Sequence, residues 1–536
     1  MSAAVPPGEA AATTERRPEA DPRRWKALTV CLVSGFMTLL DISIVNVALP
    51  SIRGGLDSPQ SDLQWVVSGY ALAFGLVLVP SGRFGDMRGR RNVFVFGVAL
   101  FTLASAAAGI AQSSTWLVVA RLVQGVAGGV INPQVSGLIQ QLFRGAERGR
   151  AFGLLGATIG VSTAIGPLLG GLLIRLGGEQ DGWRLVFSVN VPIGVLAILL
   201  AYRYIPHRPP ERRSRQSMDP VGVLLLAAGI VLILLPLVEG QQWHSSGRWV
   251  LLVAGLAVIA VFAVWERRYG RRREPMVNLS LFGRRSYAFG AVIAALYFAG
   301  FTAIFFILTI YLQNGLGYSP LEAGLASTPF AAGSALSSVL GGRVVTRFGR
   351  PLVAAGLVLV ALGLAVTEVA VALDSGQGVA WAIAGPLLVA GLGSGLVISP
   401  NQTLTLSQVP VSEAGTAGGV LQTGQRIGTA VGIAAIGSVF FAEVASTHGD
   451  HATAFRTALL VTIGFVLAAL AVAVADVVAE RRSRPPGQDA EQGTGRDTGG
   501  RRGGDAAGQA GQDAENAEGA EGRQAGRGSA RRAGRP

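Results

Sequence analysis

Asp41 stands inside an apolar stretch that opens at Ala27, and Arg121 and Gln124 stand inside another, spanning about 115–134. A carboxylate in an apolar helix costs on the order of 2.5–3.5 kcal/mol, and ionisable groups in such places serve ion pathways and proton relays. At 1.5 Å per residue, Asp41 lies about 21 Å from Ala27. Arg121 is about six residues, hence about 9 Å, from the opposite end of its own stretch. In a hydrocarbon core about 30 Å thick the two groups fall at nearly one depth, so they can meet directly or through Gln124. An acid and a guanidinium that meet and part make a proton switch. The same pair could also serve only to pack two helices together.

Other residues suggest a binding surface. Arg426 lies near the middle of a later apolar stretch, where an uncompensated guanidinium is costly, so it should face a central cavity near Gln422 or Gln425. Asn46, five residues beyond Asp41, is expected to line the same cavity. Tyr297, Phe301 and Phe305 recur at a spacing of four and share one helix face. Such a wall suits apolar or cationic compounds, although lipid contact or helix packing explains the same spacing. Glu368, near the outer edge, and Glu239, Glu322, Glu443 and Asp476, near helix ends, are expected to be solvated.

The elements that position these residues are apolar runs of about 20 residues, long enough to cross a bilayer as helices. Fourteen can be read between Ala27 and Glu480, with no alternating pattern of barrel strands. Basic residues gather in alternate connections, at 81–92, 141–150, 201–218, 266–286 and 341–350, and in both tails. The opposite connections hold only Arg53, Arg175, Arg184, Arg248 and Arg456. That asymmetry predicts a multi-pass protein with both termini in the cytoplasm. It also accounts for the net charge of +13 without nucleic acid.

Only 14% of the 536 residues are charged, too few for a soluble enzyme of this length. Lys26 is the one lysine and lies between Trp25 and Ala27, so the chain has no Walker A loop. Cys31, alone of its kind, excludes an internal disulfide, and no cofactor or metal is expected. Residues 1–26 and 481–536 are polar tails, expected to be disordered. The excess of Arg over Lys, with abundant Ala and Gly, fits a GC-rich bacterial genome, and helical spans in place of barrel strands are expected in its cytoplasmic membrane.

One segment occurs twice. Gly82-Arg-Phe-Gly-Asp86-Met-Arg-Gly89-Arg90 returns as Gly342-Arg-Val-Val-Thr346-Arg-Phe-Gly349-Arg350, each in a connection between the second and third helices of a group of six. Internal repeats of this kind build transporters around a central site. The repeat predicts a six-helix bundle at 27–204, two inserted helices at 205–286 and a second bundle at 287–480. Thr346 in place of an acid suggests that the second copy keeps the turn without the charge pairing.

The chain resembles the major facilitator superfamily, and within it the fourteen-span drug:proton antiporters of the EmrB/QacA type. The resemblance rests on Gly82-x-x-x-Asp86-x-x-Gly89-Arg90-Arg91, Arg121-x-x-Gln124-Gly125-x-x-Gly128-Gly129, and Gly156-x-x-x-Gly160 followed by Gly166-Pro167-x-x-Gly170-Gly171. Leu40-Asp41-x-Ser43-Ile44-Val45-Asn46-Val47-Ala48-Leu49-Pro50 and Trp183-Arg184-x-x-Phe187-x-x-Asn190-x-Pro192 add to it. It implies an all-α membrane fold of two six-helix bundles plus two inserted helices. It implies proton coupling through Asp41, Arg121 and Gln124, and a conformational latch of Gly82, Asp86, Gly89 and Arg90. It assigns an antiporter hinge to Gly156, Gly160, Gly166, Pro167, Gly170 and Gly171, and the chain is expected to act as a monomer. The expected function is proton-driven export of drugs, antibiotics or similar amphipathic molecules; the alternative is proton-coupled uptake of a small metabolite. No clustered catalytic set or soluble domain supports an enzyme.

Overall fold

The computed structural model describes residues 21–178, 180–207, 218–238 and 247–482. The expectations for most of both tails, for Glu239 and for Arg208–Arg215 fall outside those residues. The described residues up to Asp476 form one compact unit, and 477–482 belong to a second.

Every regular element among the described residues is helical. The first six passes are α1 Arg24–Leu56, α2 Gln60–Arg88, α3 Arg90–Gly109, α4 Ser114–Leu142, α5 Gly145–Gly177, and α6, made of Gly182–Ser188 and Asn190–Tyr204 joined at Val189. The inserted pair is α7 Pro220–Val238 and α8 Gly247–Tyr269. The last six are α9 Arg285–Ile310, α10 Pro320–Phe348, α11 Arg350–Leu373, α12 Val379–Thr405, α13 Ala414–Ser446 and α14 His451–Arg482.

Among the described residues, thirteen passes are long and apolar enough to cross a membrane. The fourteenth, α10, is as long but less apolar, because its small polar residues face protein instead of lipid. Ser334 Oγ lies 3.3 Å from Ser394 Oγ, and Ser338 Oγ donates to the Gly395 carbonyl at 3.5 Å. A capping box starts this helix, with Ser319 and Glu322 each taking the other's backbone N–H. Glu322 is therefore a cap and not merely a solvated end.

Several helices outrun their apolar cores. α2 continues to Arg88 and α14 runs from His451 to Arg482, because backbone hydrogen bonding does not stop where the hydrocarbon does. The extra turns carry the basic connections.

In the first half α2 and α3 pack on α4, and α1 packs on α5; in the second half α10 and α11 pack on α12, and α9 on α13. The halves meet through α5 against α10 and α2 against α13. Under the repeat α2 corresponds to α10 and α5 to α13, so these contacts are a related pair. α7 lies against α2 and α13, sharing a cluster with Leu72, Val79 and Ala430.

Candidate functional site

Asp41 is fully buried, and three side chains converge on its carboxylate. Arg121 Nη1 donates to Oδ2 at 2.5 Å, while Gln124 Nε2 and Asn190 Nδ2 donate to Oδ1 at 2.8 and 3.0 Å. Arg121 also donates to the Val66 carbonyl at 3.0 Å and to Gln124 Oε1 at 2.6 Å. Gln124 reaches Ser105 Oγ at 2.7 Å. The guanidinium lies 4.3 Å from the centre of the Tyr70 ring, with Phe187 at 5.8 Å. The direct and the Gln124-mediated contacts therefore coexist.

Local sequence explains this meeting. α1 and α4 are long apolar helices that place Asp41 and Arg121 at one depth. Asn190 arrives because α6 is interrupted at Val189, leaving Asn190 to start the second stretch. In the sequence Asn190 stands only as a member of the motif that begins at Trp183, without a role of its own. Tyr70 and Ser105 carried no signal, since each is an ordinary residue of an apolar helix until its neighbour is known.

Asp86 sits where α2 meets the start of α13. Its Oδ1 accepts from the Gly415 N–H at 3.0 Å, and its Oδ2 accepts from the Thr416 N–H at 2.8 Å and the Thr416 hydroxyl at 2.9 Å. A carboxylate here satisfies N–H groups that have no partner within their own helix and opposes the positive end of its dipole. Arg90 Nη2 binds Oδ1 of the same carboxylate at 2.7 Å, and its other donors reach the Gly137 carbonyl at 3.2 Å, Gln141 at 3.1 Å and the Val411 carbonyl. A Cβ on Gly82 would strike the Gly415 carbonyl, and one on Gly415 would lie 2.7 Å from the Gly82 carbonyl, so these backbones touch only as glycines. Gly89 turns the chain at φ 96°, and Gly349 does the same in the second copy at φ 59°.

The second copy makes the related approach. A Cβ on Gly149 of α5 would lie 2.5 Å from the Gly342 carbonyl of α10. Its arginine is paired after all, which corrects the expectation drawn from Thr346. Arg350 Nε meets Asp476 Oδ2 of α14 at 2.9 Å, and Nη1 donates to Asn401 at 2.9 Å. Asp476 also binds Arg285 at 3.1 Å and is only 3% exposed, so it is no solvated helix end. Glu368 likewise pairs with Arg456 at 2.8 Å.

The glycines of α5 divide their contacts. Gly160 leaves room for the α10 backbone, with the Ala331 carbonyl 3.0 Å from where a Cβ would be, and Gly156 for Ser338 and Ser399. Gly166 and Gly170 face Ser43 and Ile44 of α1, Pro167 lies against Gly324, and Gly171 faces open space.

The residues expected to line a cavity are placed differently from one another. Tyr297 and Phe301 are buried in the core of the second half, with Phe301 6.0 Å from the Phe330 ring. Phe305 is half-buried against Phe330 at 5.2 Å. In this conformation the aromatic wall is closed by packing, and Asn46 is exposed. Gln422 donates to Ser136 Oγ at 3.2 Å, which turns its face of α13 toward α4. Arg426 is half-buried over the Phe74 ring at 4.4 Å.

Beside the Asp86 contact is a pocket of about 440 Å³, lined among others by Arg83, Glu266, Glu274, Glu413 and Thr416. Arg83 binds Glu274 at 3.1 Å. Asp219, buried at the start of α7, accepts from Trp265 Nε1 at 2.6 Å. No single stretch of sequence signals this cluster, because its members come from α2, from the end of α8 and the segment after it, and from the start of α13.

A helical membrane protein with an internal repeat, a buried acid–guanidinium pair between two helices and a carboxylate bridging its halves is built as a membrane transporter. The model of the Major Facilitator Superfamily matches residues 31–433 and 290–514, and the chain belongs to that family. It is 38% identical to the probable actinorhodin transporter of Streptomyces coelicolor, over 82% of this chain and 76% of that protein. It is 33% identical to the tetracenomycin C resistance and export protein of Streptomyces glaucescens, over 80% of this chain and 78% of that one. With the cephamycin export protein of Amycolatopsis lactamdurans it shares 34% identity, over 86% of this chain and 94% of the other. Among solved structures it resembles the proton:xylose symporter XylE, with a TM-score of 0.59 at 17% identity, covering 83% of this chain and 94% of that one. That likeness concerns the fold alone.

Proposed function

We propose that this chain is a proton-driven antiporter that exports small amphipathic molecules, drugs or antibiotics among them, across a bacterial cytoplasmic membrane. The observation that carries the reading is the buried Asp41 carboxylate, held by Arg121, Gln124 and Asn190. Protonation would discharge the acid and weaken its hold on Arg121, while loss of the proton would restore the pair. Two arrangements of α1 against α4 thus differ by one proton, which is what coupling requires. The Asp86 contact with α13 supplies the matching device for access, since it joins the halves on the cytoplasmic side and must break for that side to open. Two relatives more than 30% identical are named export proteins, which supports the direction of transport. One proton entering yields about 2.3 kcal/mol per 100 mV, enough for roughly a fifty-fold gradient of a neutral solute.

The test uses everted membrane vesicles with an imposed proton gradient. Adding a transported compound should discharge the gradient with the native chain and not with Asp41→Asn. Retained coupling in a well-inserted Asp41→Asn protein would remove Asp41 from the mechanism. Accumulation of the compound by intact cells, in place of its depletion, would reverse the direction to uptake.

A further inference from the structure

Arg121 and Arg426 form a pair of contrasts. The Tyr70 and Phe74 rings, one turn apart on α2, stack with their centres 5.9 Å apart and 29° between planes. Arg121 from α4 lies on Tyr70 at 4.3 Å, and Arg426 from α13 lies on Phe74 at 4.4 Å. Both rings are 2% exposed, so each guanidinium rests on a wall that water does not reach. Arg121 has Asp41 as counter-charge. Arg426 makes no ion pair and no hydrogen bond among the described residues. It is half-buried, whereas Arg121 is almost wholly enclosed. One turn earlier on the same helix, Gln422 reaches across to the Asn132 carbonyl at 3.5 Å and to Ser136 Oγ, so this part of α13 faces the first half of the molecule.

A guanidinium near the middle of a membrane helix without an anion is costly, and a ring face offsets only part of its lost hydration. With one face against Phe74 and the side chain still partly exposed, its N–H donors remain for a partner. Guanidinium accepts a flat group by stacking and an oxyanion by paired N–H donors, where an ammonium would offer neither.

We infer that Arg426 is the counter-charge for the transported molecule, and that the substrates are flat organic anions, carboxylates or phenolates with an apolar body. The inference rests on the efflux reading above and names its substrate class. It also fits the energetics. An anion leaving while a proton enters moves charge in the same electrical sense on both legs, so the membrane potential drives both, whereas an exported cation would oppose it.

The experiment measures binding by titration calorimetry to the full chain in phosphatidylcholine nanodiscs. The probes are anthracene-2-carboxylate and the neutral anthracene-2-carboxamide of nearly the same shape. The native protein should bind the carboxylate at least about tenfold more tightly, Arg426→Lys should keep part of that preference, and Arg426→Gln should erase it. Equal affinity for the two probes in the native protein, failure of the carboxylate to bind, or an unchanged preference in Arg426→Gln would each overturn the inference. The native comparison stands even if a variant fails to fold. Binding needs no proton gradient, so a charge preference without proton-driven export would remove antiport and leave this inference intact. Proton-driven export of ethidium, indifferent to Arg426→Gln and without any anion preference, would do the reverse.

Discussion

Asp86 holds Thr416 twice, accepting from its backbone N–H at 2.8 Å and from its hydroxyl at 2.9 Å, and so ties the end of α2 to the first turn of α13. The two residues are 330 positions apart in the chain, and the bond joins one half of the molecule to the other. The interaction pairs a charge with N–H groups that a helix start always leaves unsatisfied.

Asp86→Asn keeps the size of the side chain but removes the charge and one acceptor. The contact should weaken by about 1–2 kcal/mol, a factor of 5–30 in the closed-to-open ratio on that side of the molecule. Spin labels at the exposed positions Arg88 and Arg347 would report it as a growing long-distance population. An unchanged distance distribution would show that Asp86 does not govern closure.

Removing one member of the Asp41–Arg121 pair leaves a buried group uncompensated. Arg121→Ala should lower thermal stability by about 3–5 kcal/mol, and Asp41→Asn by less, because an amide can still accept from Gln124 or Asn190. Combining Asp41→Asn with Arg121→Gln should recover much of the stability and none of the proton coupling. Were the double variant to couple normally, the pair would be a packing device only.

The α5 glycines should not be equivalent. Gly160→Ala presses a methyl group against the α10 backbone and should cost about 1–3 kcal/mol in the packing of the two halves, seen as lost export at normal expression. Gly171→Ala, which meets open space, should leave transport within about twofold of the native rate, measured in the same cells.

Two acids outside the motifs should also differ. Asp476 lies between Arg285 and Arg350 with a side chain 4% exposed, and Asp476→Asn should destabilise the protein by about 3–5 kcal/mol in thermal melts. Glu368 pairs with an Arg456 side chain that is 40% exposed, and Glu368→Gln should change the melt by about 0–1 kcal/mol.

The sequence alone determined the helices, their number and the depth of each polar residue within them. These follow from the rise per residue and from the cost of leaving backbone groups unpaired in lipid, both local to one segment. Hence the level of Asp41 with Arg121 could be reckoned in advance, and the repeat of Gly82–Arg90 at Gly342–Arg350 announced two related halves. Tertiary structure decided which way each helix turns and which neighbour it meets. It brought Asn190 to Asp41, turned Tyr297 and Phe301 into a core, and set Asp476 against the arginine that position 346 leaves without an acid. Spacing along a helix fixes which residues share a face. Only packing against other helices, summed over the whole assembly, chooses what that face touches.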